Sequence, residues 1–304
     1  MRVLVAGSTG VIGRQLTPLL QGAGHEVIGM SRNGQASDHK LVKADALDRD
    51  QVAAAMRTAK PDAVVHILTA IPANLNPRKL GAELAMTNWL RTEGTRNLFV
   101  AARGIGVERV IAESVAYMYQ PASGLADEDA PLWTRDMPQV RPVVDALVEM
   151  ERQTAEMNGL VLRFGHLYGP GSMFAPGGTF IEQIKSGRVP LVGGGHGVFS
   201  FTHARDAAMA ILAGLDKDVS GALNIVDDTP APLHEWLPTV AGMLGVNNPR
   251  ALPTWLARLA VGPYGVAFMN ELRGADNARA RLMLDWRPGY RSWRDGFAAE
   301  LSGR

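Results

Sequence analysis

The sequence predicts an α/β protein in which a doubly wound parallel sheet is followed by a smaller, mixed C-terminal lobe. Three observations predict this arrangement: short apolar strands alternate with helical stretches, a glycine-rich turn follows the first strand, and the pattern changes after residue 170. We therefore expect one lobe over residues 1–170 and a second over residues 171–304, with the chain allowed to cross back between them.

The elements of the first lobe follow from their apolar patterns. Short runs rich in β-branched residues predict strands, and apolar positions three and four residues apart predict helices. The predicted strands are residues 2–6, 25–30, 41–42, 63–67, 107–112 and 160–163. The predicted helices are residues 11–23, 48–58, 82–103 and 144–157. Strands that alternate with helices pair in parallel through right-handed crossovers, which gives a Rossmann-type sheet covered on both faces.

Glycine and proline divide the second lobe into shorter elements. They cluster at residues 169–171, 176–178 and 193–195. Between and after these clusters we predict helices at 204–215, 233–244, 254–261 and 276–284 and a strand at 222–226. Because no flexible linker separates the two lobes, we expect them to pack around one cleft.

Composition limits the partners that this chain can take. Its 304 residues are 46% hydrophobic, which is enough for a large core, and its 31 basic and 30 acidic residues nearly cancel. This balance argues against nucleic acid and favours a small molecule. The absence of cysteine and the scattered positions of seven histidines predict no metal site. No apolar run reaches the length of a membrane span, so we expect no membrane contact and a cytoplasmic location.

A glycine-rich turn follows the first strand and opens the first helix. Gly7, Gly10 and Gly13 form a GxxGxxG pattern in this position. Glycine allows the backbone to approach a diphosphate, and a helix N-terminus offers unpaired N–H groups. The sequence therefore predicts a dinucleotide site; the alternative is a glycine-rich turn that holds no ligand.

The end of the second strand indicates which dinucleotide is bound. NAD sites usually carry an acid there, whereas this chain has Met30, Ser31, Arg32 and Asn33. The guanidinium of Arg32 is suited to a 2′-phosphate, which favours NADP over NAD; the alternative is a solvated surface arginine. Asp45 is placed to accept a hydrogen bond from the adenine amino group, although a helix N-cap is the other interpretation for Asp45 and for Asp48.

These landmarks, taken in order, make the chain resemble the extended short-chain dehydrogenase/reductases, the group that includes NAD-dependent sugar-nucleotide epimerases and dehydratases. The resemblance spans nearly the whole chain, and its further segments are residues 66–70, 94–98, 114–119, 163–171, 201–206, 277–284 and 293–297. It implies a homodimer formed through the helices near 82–103 and 144–157. It also implies a cofactor site made by Gly7, Thr9, Gly10, Val11, Ile12, Gly13, Ser31, Arg32, Asp45, Ala46, Leu68, Thr69 and Ala70.

The chain departs from the family at all four residues that carry proton and hydride transfer. Arg91 occupies the asparagine position, and Val115 occupies the Ser/Thr position. Val143 and Leu147 occupy the positions of the YxxxK tyrosine and lysine. Valine and leucine exchange no protons, so the family's standard mechanism cannot operate. We expect Arg91, Val115, Val143 and Leu147 to contact substrate instead, with Arg91 either binding an anion or carbonyl group or pointing outward from its helix.

Three residues are candidates for replacement chemistry. Tyr117 occupies the position at which related dehydratases carry a catalytic glutamate; the alternative is a lining or core tyrosine. Ser114 adjoins the lost site, but strand alternation favours a structural hydroxyl, and the same alternation places Glu113 on the side of Val115 or in an ion pair with Arg91 or Arg109. His166 follows the sixth strand and titrates near neutrality, unless it is a hydrogen-bonded loop histidine.

The apolar replacements predict a hydrophobic pocket. We therefore expect an atypical NADP-dependent oxidoreductase or epimerase-like enzyme that acts on a small, mostly apolar hydroxy or keto compound. The alternatives are a non-redox isomerase, cyclase or dehydratase with a structural dinucleotide, and a dinucleotide-sensing binding protein resembling NmrA-like regulators.

Overall fold

The structure is a computed structural model that describes residues 1–32, 38–133 and 137–302. Its first part contains β1 (Arg2–Ala6), α1 (Val11–Gly22), β2 (Glu26–Ser31), β3 (Lys40–Lys43), α2 (Arg49–Ala59), β4 (Ala63–His66), a 3-10 turn (Pro77–Lys79), α3 (Leu80–Glu83), α4 (Ala85–Trp89), a π-helical turn (Leu90–Gly94), α5 (Thr95–Gly104), β5 (Arg109–Val115), α6 (Arg141–Ala155) and β6 (Leu160–Phe164). Strands and helices therefore alternate as the sequence predicts.

The second part has shorter elements. They are β7 (His166–Tyr168), α7 (Thr179–Lys185), β8 (Leu191–Val192), β9 (Val198–Phe199), β10 (Phe201–His203), α8 (Ala204–Leu215), β11 (Gly221–Ile225), β12 (Ala231–Pro232), α9 (Leu233–Met243), β13 (Ala251–Leu252), α10 (Thr254–Asn270), α11 (Ala278–Leu284) and α12 (Trp293–Ser302). The predicted helix 254–261 continues to Asn270 because the chain resumes a helix after a kink at Gly262, where φ is 73°.

Seven parallel strands form the central sheet in the order β11-β6-β5-β4-β1-β2-β3. Side chains of β1 alternate between its two faces: Val3 and Val5 pack with α1 and α8, whereas Leu4 packs with α2 and α5. A strand that is buried on both faces needs apolar residues at successive positions, which explains its unbroken apolar run. The doubly wound fold that the sequence predicts is confirmed.

The chain does cross back between the two predicted lobes. The strand β11 lies beside β6 in the central sheet, and α8 packs on α1, although both follow residue 170. The boundary between a first lobe over residues 1–170 and a second over residues 171–304 stays a prediction. Within the described residues, no helix has the length and apolar character needed to cross a membrane.

Candidate functional site

A cleft of about 820 Å³ opens at the carboxyl ends of the parallel strands. Its floor lies where β1 and β4 are neighbours, and from this point the chain continues in opposite directions across the sheet. Doubly wound folds bind their ligands at this switch point. The volume is within the usual range for a cofactor or substrate cavity.

Glycines make the backbone turn at the cleft floor. Gly7 has a φ of 105°, and a Cβ there would lie 2.7 Å from the carbonyl oxygen of Ile67. A Cβ on Gly13 would lie 2.3 Å from the carbonyl oxygen of Gly7. No side chain caps α1 at Gly10, so the first N–H groups of the helix are left to other acceptors. The turn therefore fits a diphosphate group, which it can approach through backbone atoms alone.

The two polar residues expected at the adenosine end also line the cleft. Arg32 is exposed there, at the end of β2. Asp45 accepts a hydrogen bond from the Leu47 N–H at 3.0 Å, while Asp48 caps α2 by accepting from the Asp50 and Gln51 N–H groups. The N-cap interpretation is therefore confirmed for Asp48. Asn33 lies outside the described residues.

All thirteen residues predicted to hold the cofactor line this one cleft: Gly7, Thr9, Gly10, Val11, Ile12, Gly13, Ser31, Arg32, Asp45, Ala46, Leu68, Thr69 and Ala70. Their contact with a dinucleotide stays a prediction. The side chain of Thr87 fixes the segment after β4 by accepting a hydrogen bond from the Ala70 N–H at 3.0 Å.

Arg91 lies on the π-helical turn, where the sequence analysis expects one continuous helix. In this turn the Leu90 carbonyl accepts both the Thr95 N–H and His66 Nε2, the latter at 3.3 Å, and the Arg91 carbonyl accepts from Thr95 Oγ1 at 2.6 Å. The Arg91 side chain points inward, since the residue is 4% exposed and lines the cleft. Single π-helical turns recur at functional sites because they redirect a side chain.

The Arg91 guanidinium is buried, with acidic groups nearby. Burial lowers the pKa of Arg91, and the charges of Glu113, Tyr117 and Glu151 oppose that effect. Its Nε atom is buried and forms no hydrogen bond with the described residues. A buried charge is costly unless it is paired, so this group needs an anionic or polar partner in the cleft.

Glu113 also lines the cleft, together with Val115, as the strand alternation predicts. Burial raises the pKa of Glu113 to about 7, and the Arg91 charge acts in the opposite direction. The ion pair that the sequence analysis offered with Arg91 or Arg109 is not among the ion pairs formed by the described residues. Arg109 instead donates to the carbonyl groups of Val219 and Gly214.

Two aromatic rings form one wall of the cleft. His166 stacks on Tyr117 with ring centroids 4.4 Å apart. The Nδ1 atom of His166 lies 3.2 Å from the Ser200 carbonyl oxygen, so Nδ1 carries the proton and Nε2 is an acceptor. Burial lowers the pKa of His166 to about 4, and the imidazole is therefore neutral at physiological pH.

Ser114 lines the cleft and also belongs to a buried polar network. Its hydroxyl donates to Glu151 at 2.6 Å, and Glu151 is paired with Arg163 at 2.6 Å. Arg163 also donates to the Tyr119 hydroxyl, which in turn donates to Asn224. This geometry favours the structural alternative for Ser114.

Two of the four predicted substrate contacts lie away from the cleft. Arg91 and Val115 line it, but Val143 and Leu147 are 2% and 0% exposed and pack in the hydrophobic core. The motif spacing places both residues on α6, yet it does not fix how deeply that helix packs. The cleft lining therefore does not support substrate contact for Val143 and Leu147.

The far wall of the cleft was not predicted from the sequence. It is formed by residues of the second part and of α4: Met86, Gly171, Ser172, Met173, Phe174, Gly177, Gly178 and Thr179. The glycine and proline clusters at 169–171 and 176–178 mark this wall in the sequence, because such clusters mark loops and loops often carry binding residues.

A glycine turn at the switch point of a doubly wound sheet, with a cleft wide enough for a dinucleotide, defines the class of NAD(P)-binding oxidoreductases. The profile of the NAD-dependent epimerase/dehydratase family matches residues 3–226. The chain belongs to this family, within the extended short-chain dehydrogenase/reductases.

Among curated proteins, the chain is 43% identical to a 3-diazoavenalumate denitrifying reductase of Streptomyces, over 99% of this chain and 100% of the relative. Among solved structures, it is similar to human epimerase family protein SDR39U1 with NADPH (TM-score 0.76, 23% identity, 100% of both chains). It is also similar to Thermus thermophilus UDP-glucose 4-epimerase with NAD (TM-score 0.77, 21% identity, 99% and 98% coverage). The two structures share the fold, and the bound dinucleotide differs between them.

Proposed function

We propose that this protein is an NADPH-dependent reductase that removes the diazo group of a diazo-substituted carboxylate. The observation that carries the proposal is the apolar character of the positions at which the family holds its proton relay. Val115 is at the cleft wall, while Val143 and Leu147 are in the core. The full-length similarity to a denitrifying reductase supports the same conclusion.

The proposed reaction suits a site without a proton relay. When bound, the reduced dinucleotide would supply a hydride, and the balance is R–N2⁺ + NADPH → R–H + N2 + NADP⁺. No proton enters this balance, because the diazo substrate reacts as the diazonium cation R–N2⁺, which takes up hydride as neutral N2 departs. A carbonyl reduction, in contrast, requires an acid for the oxygen that gains negative charge.

The residues of the chain hold and orient the two reactants. The turn from Gly7 to Gly13 receives the diphosphate, and Arg32 receives the 2′-phosphate that distinguishes NADPH from NADH. The stacked pair of Tyr117 and His166 offers a flat aromatic wall against which an unsaturated substrate packs. The apolar side chains of the lining, such as Val115 and Phe174, would limit the access of water, which competes with hydride for a diazonium carbon.

Reduction of a keto or hydroxy compound is the second candidate function. It is favoured by the hydroxyl of Tyr117 and the carboxyl of Glu113, which both carry exchangeable protons at the cleft. In this reaction Tyr117, Ser114 or His166 would take part in proton transfer, as the sequence analysis predicts.

The experiment follows NADPH oxidation and N2 release from a diazo-substituted aromatic carboxylate, using NADPH deuterated at the nicotinamide. We expect one N2 for each NADPH, deuterium at the former diazo carbon, and a much slower reaction without enzyme or with the Gly13→Ala variant. Equal rates with and without enzyme would exclude the diazo reaction. Oxidation of NADPH by ketones alone would favour the second candidate, and binding without turnover would favour a sensor.

We further propose a homodimer. The helices expected to form it carry exposed apolar side chains: Trp89 on α4, Val100 on α5 and Val148 on α6, which are 61%, 50% and 49% exposed. Light scattering of the Trp89→Arg variant tests this assembly. An unchanged dimer would place the interface elsewhere, and a wild-type monomer would exclude it.

A further inference from the structure

Arg91 is a buried cation whose guanidinium has no acidic partner at ion-pair distance among residues 1–32, 38–133 and 137–302. The residue is 4% exposed, and its Nε atom has no hydrogen-bond partner there. Leaving a charge buried and unpaired destabilises a fold, so a protein keeps such a charge only where something offsets the cost. The side chain lines the cleft, so the partner is expected from the cleft.

Among the described residues, the charged groups near Arg91 do not form the ion pair that its guanidinium lacks. Glu151 is occupied by Arg163 at 2.6 Å and by Ser114. His66, on β4, uses Nε2 toward Leu90 and Thr95. Glu113 and Tyr117 interact with the Arg91 charge, but neither forms a hydrogen bond or ion pair with it in the described part of the chain.

We propose that Arg91 is the receptor for a carboxylate group of the substrate, which enters the cleft and pairs with the guanidinium between Tyr117 and Glu113. This inference rests on the proposed function, in which the substrate is a carboxylate. It names the residue that binds the carboxylate group. A planar guanidinium binds a carboxylate through two parallel hydrogen bonds, and in an apolar setting such a pair also fixes orientation. The carboxylate then holds the rest of the substrate against the aromatic wall.

The π-helical turn supports the same assignment. It places Arg91 toward the cleft, while Arg96, two residues beyond the turn, is half-exposed and paired with Glu93 on the surface at 2.9 Å. The two arginines thus lie on one helical segment and differ in environment. Arg96 serves as the matched control for removal of a positive charge.

The test measures binding of cinnamate and of its neutral amide by calorimetry, with NADP⁺ at saturation. In the wild type we expect cinnamate to bind more tightly than the amide. In Arg91→Met we expect its affinity to fall by about tenfold or more, with Arg91→Lys intermediate and Arg96→Met within about twofold of wild type. Affinity for the amide and for NADPH should stay the same in all variants.

A second measurement keeps the test independent of activity. Because Arg91→Met removes an unpaired buried charge, the ligand-free variant should unfold at a higher temperature than the wild type. Cinnamate should raise the unfolding temperature of the wild type and leave that of Arg91→Met unchanged.

The outcomes separate this inference from the proposed function. Equal binding of cinnamate to wild type and Arg91→Met would overturn the carboxylate site, even if the diazo reaction proceeds. Loss of NADPH affinity in Arg91→Met would place the anion on the dinucleotide and overturn the site as well. Arginine-dependent cinnamate binding without diazo turnover would leave the site in place and refute the function.

Discussion

The imidazole of His166 lies nearly flat against the phenol ring of Tyr117, with the two planes inclined by 26°. Phe199 packs on the same imidazole with ring centroids 4.7 Å apart, and the Ser200 carbonyl fixes Nδ1. The two rings are therefore held in place before any ligand binds. Burial raises the pKa of Tyr117, and its hydroxyl stays protonated across the physiological range.

This pair gives the first prediction. The Tyr117→Phe variant should reduce a diazo carboxylate at a rate within about twofold of wild type, because phenylalanine keeps the stacking surface and the reaction needs no acid. Reduction of a ketone, if the protein performs it, should slow by about 10²-fold. Steady-state kinetics with both substrate classes measures the difference. A large loss with the diazo substrate would show that the hydroxyl takes part in its reduction.

The glycine turn gives the second prediction. A methyl group at Gly13 would lie 2.3 Å from the Gly7 carbonyl oxygen, so Gly13→Ala must displace the turn. We expect the Kd for NADPH to rise at least tenfold, measured by fluorescence titration. Gly22→Ala is the control: it lies at the end of the same helix, has no atom within 4 Å of the added methyl, and should bind NADPH normally. Normal binding by Gly13→Ala would mean that the diphosphate lies elsewhere.

The third prediction concerns cofactor choice. Removal of the Arg32 side chain should raise the Kd for NADPH about tenfold or more and change that for NADH little, since only NADPH carries the 2′-phosphate. Lys43→Ala removes an exposed positive charge from the neighbouring strand without touching the cleft, and it should affect neither cofactor. An equal loss of affinity for NADPH and NADH in Arg32→Ala would contradict the 2′-phosphate assignment.

The fourth prediction concerns pH and the proposed carboxylate site. Burial raises the pKa of Glu113 to about 7, so its carboxyl loses its proton as pH rises through this value. The resulting negative charge interacts with Arg91 and opposes a bound carboxylate. Cinnamate should therefore bind more weakly above about pH 7, and the Glu113→Gln variant should lose this dependence.

Other groups near Glu113 should not produce the same profile. His166 and His66 have pKa values of about 4, and the pKa of Tyr117 is raised, so none of them titrates near neutrality. Calorimetry between about pH 5.5 and 8.5 makes the comparison. An identical pH profile in Glu113→Gln would assign the titration to another group.

The fifth prediction concerns stability far from the cleft. Burial raises the pKa of Asp227, a 3% exposed residue, to about 7. A carboxyl with a raised pKa stabilises the fold in its protonated form, and this contribution is lost as pH rises from about 4 to 7. Asp227→Asn should therefore gain on the order of 2 kcal/mol in the free energy of unfolding at pH 8.

Asp228 is the control, because its pKa is shifted in the opposite direction. Burial acts to raise its pKa, but hydrogen bonds from Asn277 and Arg291 outweigh burial and hold the pKa of Asp228 below its ordinary value. Its contribution is present at neutral pH and lost in acid, so Asp228→Asn should be destabilised at pH 8. Denaturant titrations at pH 5 and pH 8 compare the variants. A destabilised Asp227→Asn at pH 8 would show that its carboxylate has partners that outweigh its burial.

Local chemistry was enough to predict the sheet and the glycine turn. Apolar runs, a GxxGxxG pattern and an N-capping aspartate act over a few neighbouring residues, and the structure confirms each of these elements. The π-helical turn was not predictable in this way, because the sequence predicts one continuous helix over residues 82–103. One of its carbonyl groups, that of Leu90, accepts a hydrogen bond from His66, which lies on a distant strand.

The depth at which each side chain is buried was the second property that the sequence did not predict. Motif spacing placed Val143 and Leu147 on the correct helix, but the packing of α6 against the sheet determines that they face the core. Glu113 was noted from strand alternation, whereas its raised pKa depends on the surrounding side chains. Contacts between distant segments decide both properties, and a single sequence does not encode them in any local pattern.

The link between His66 and the carbonyl of Leu90 has a consequence for how this protein can change. A histidine outside the cleft lining contacts the turn that bears Arg91, because its Nε2–H donates to the Leu90 carbonyl, which also accepts the Thr95 N–H within the turn. Selectivity can therefore drift, or be engineered, through a position that never meets the substrate. Substitutions at residue 66 should therefore change ligand preference while the residues that line the cleft stay the same.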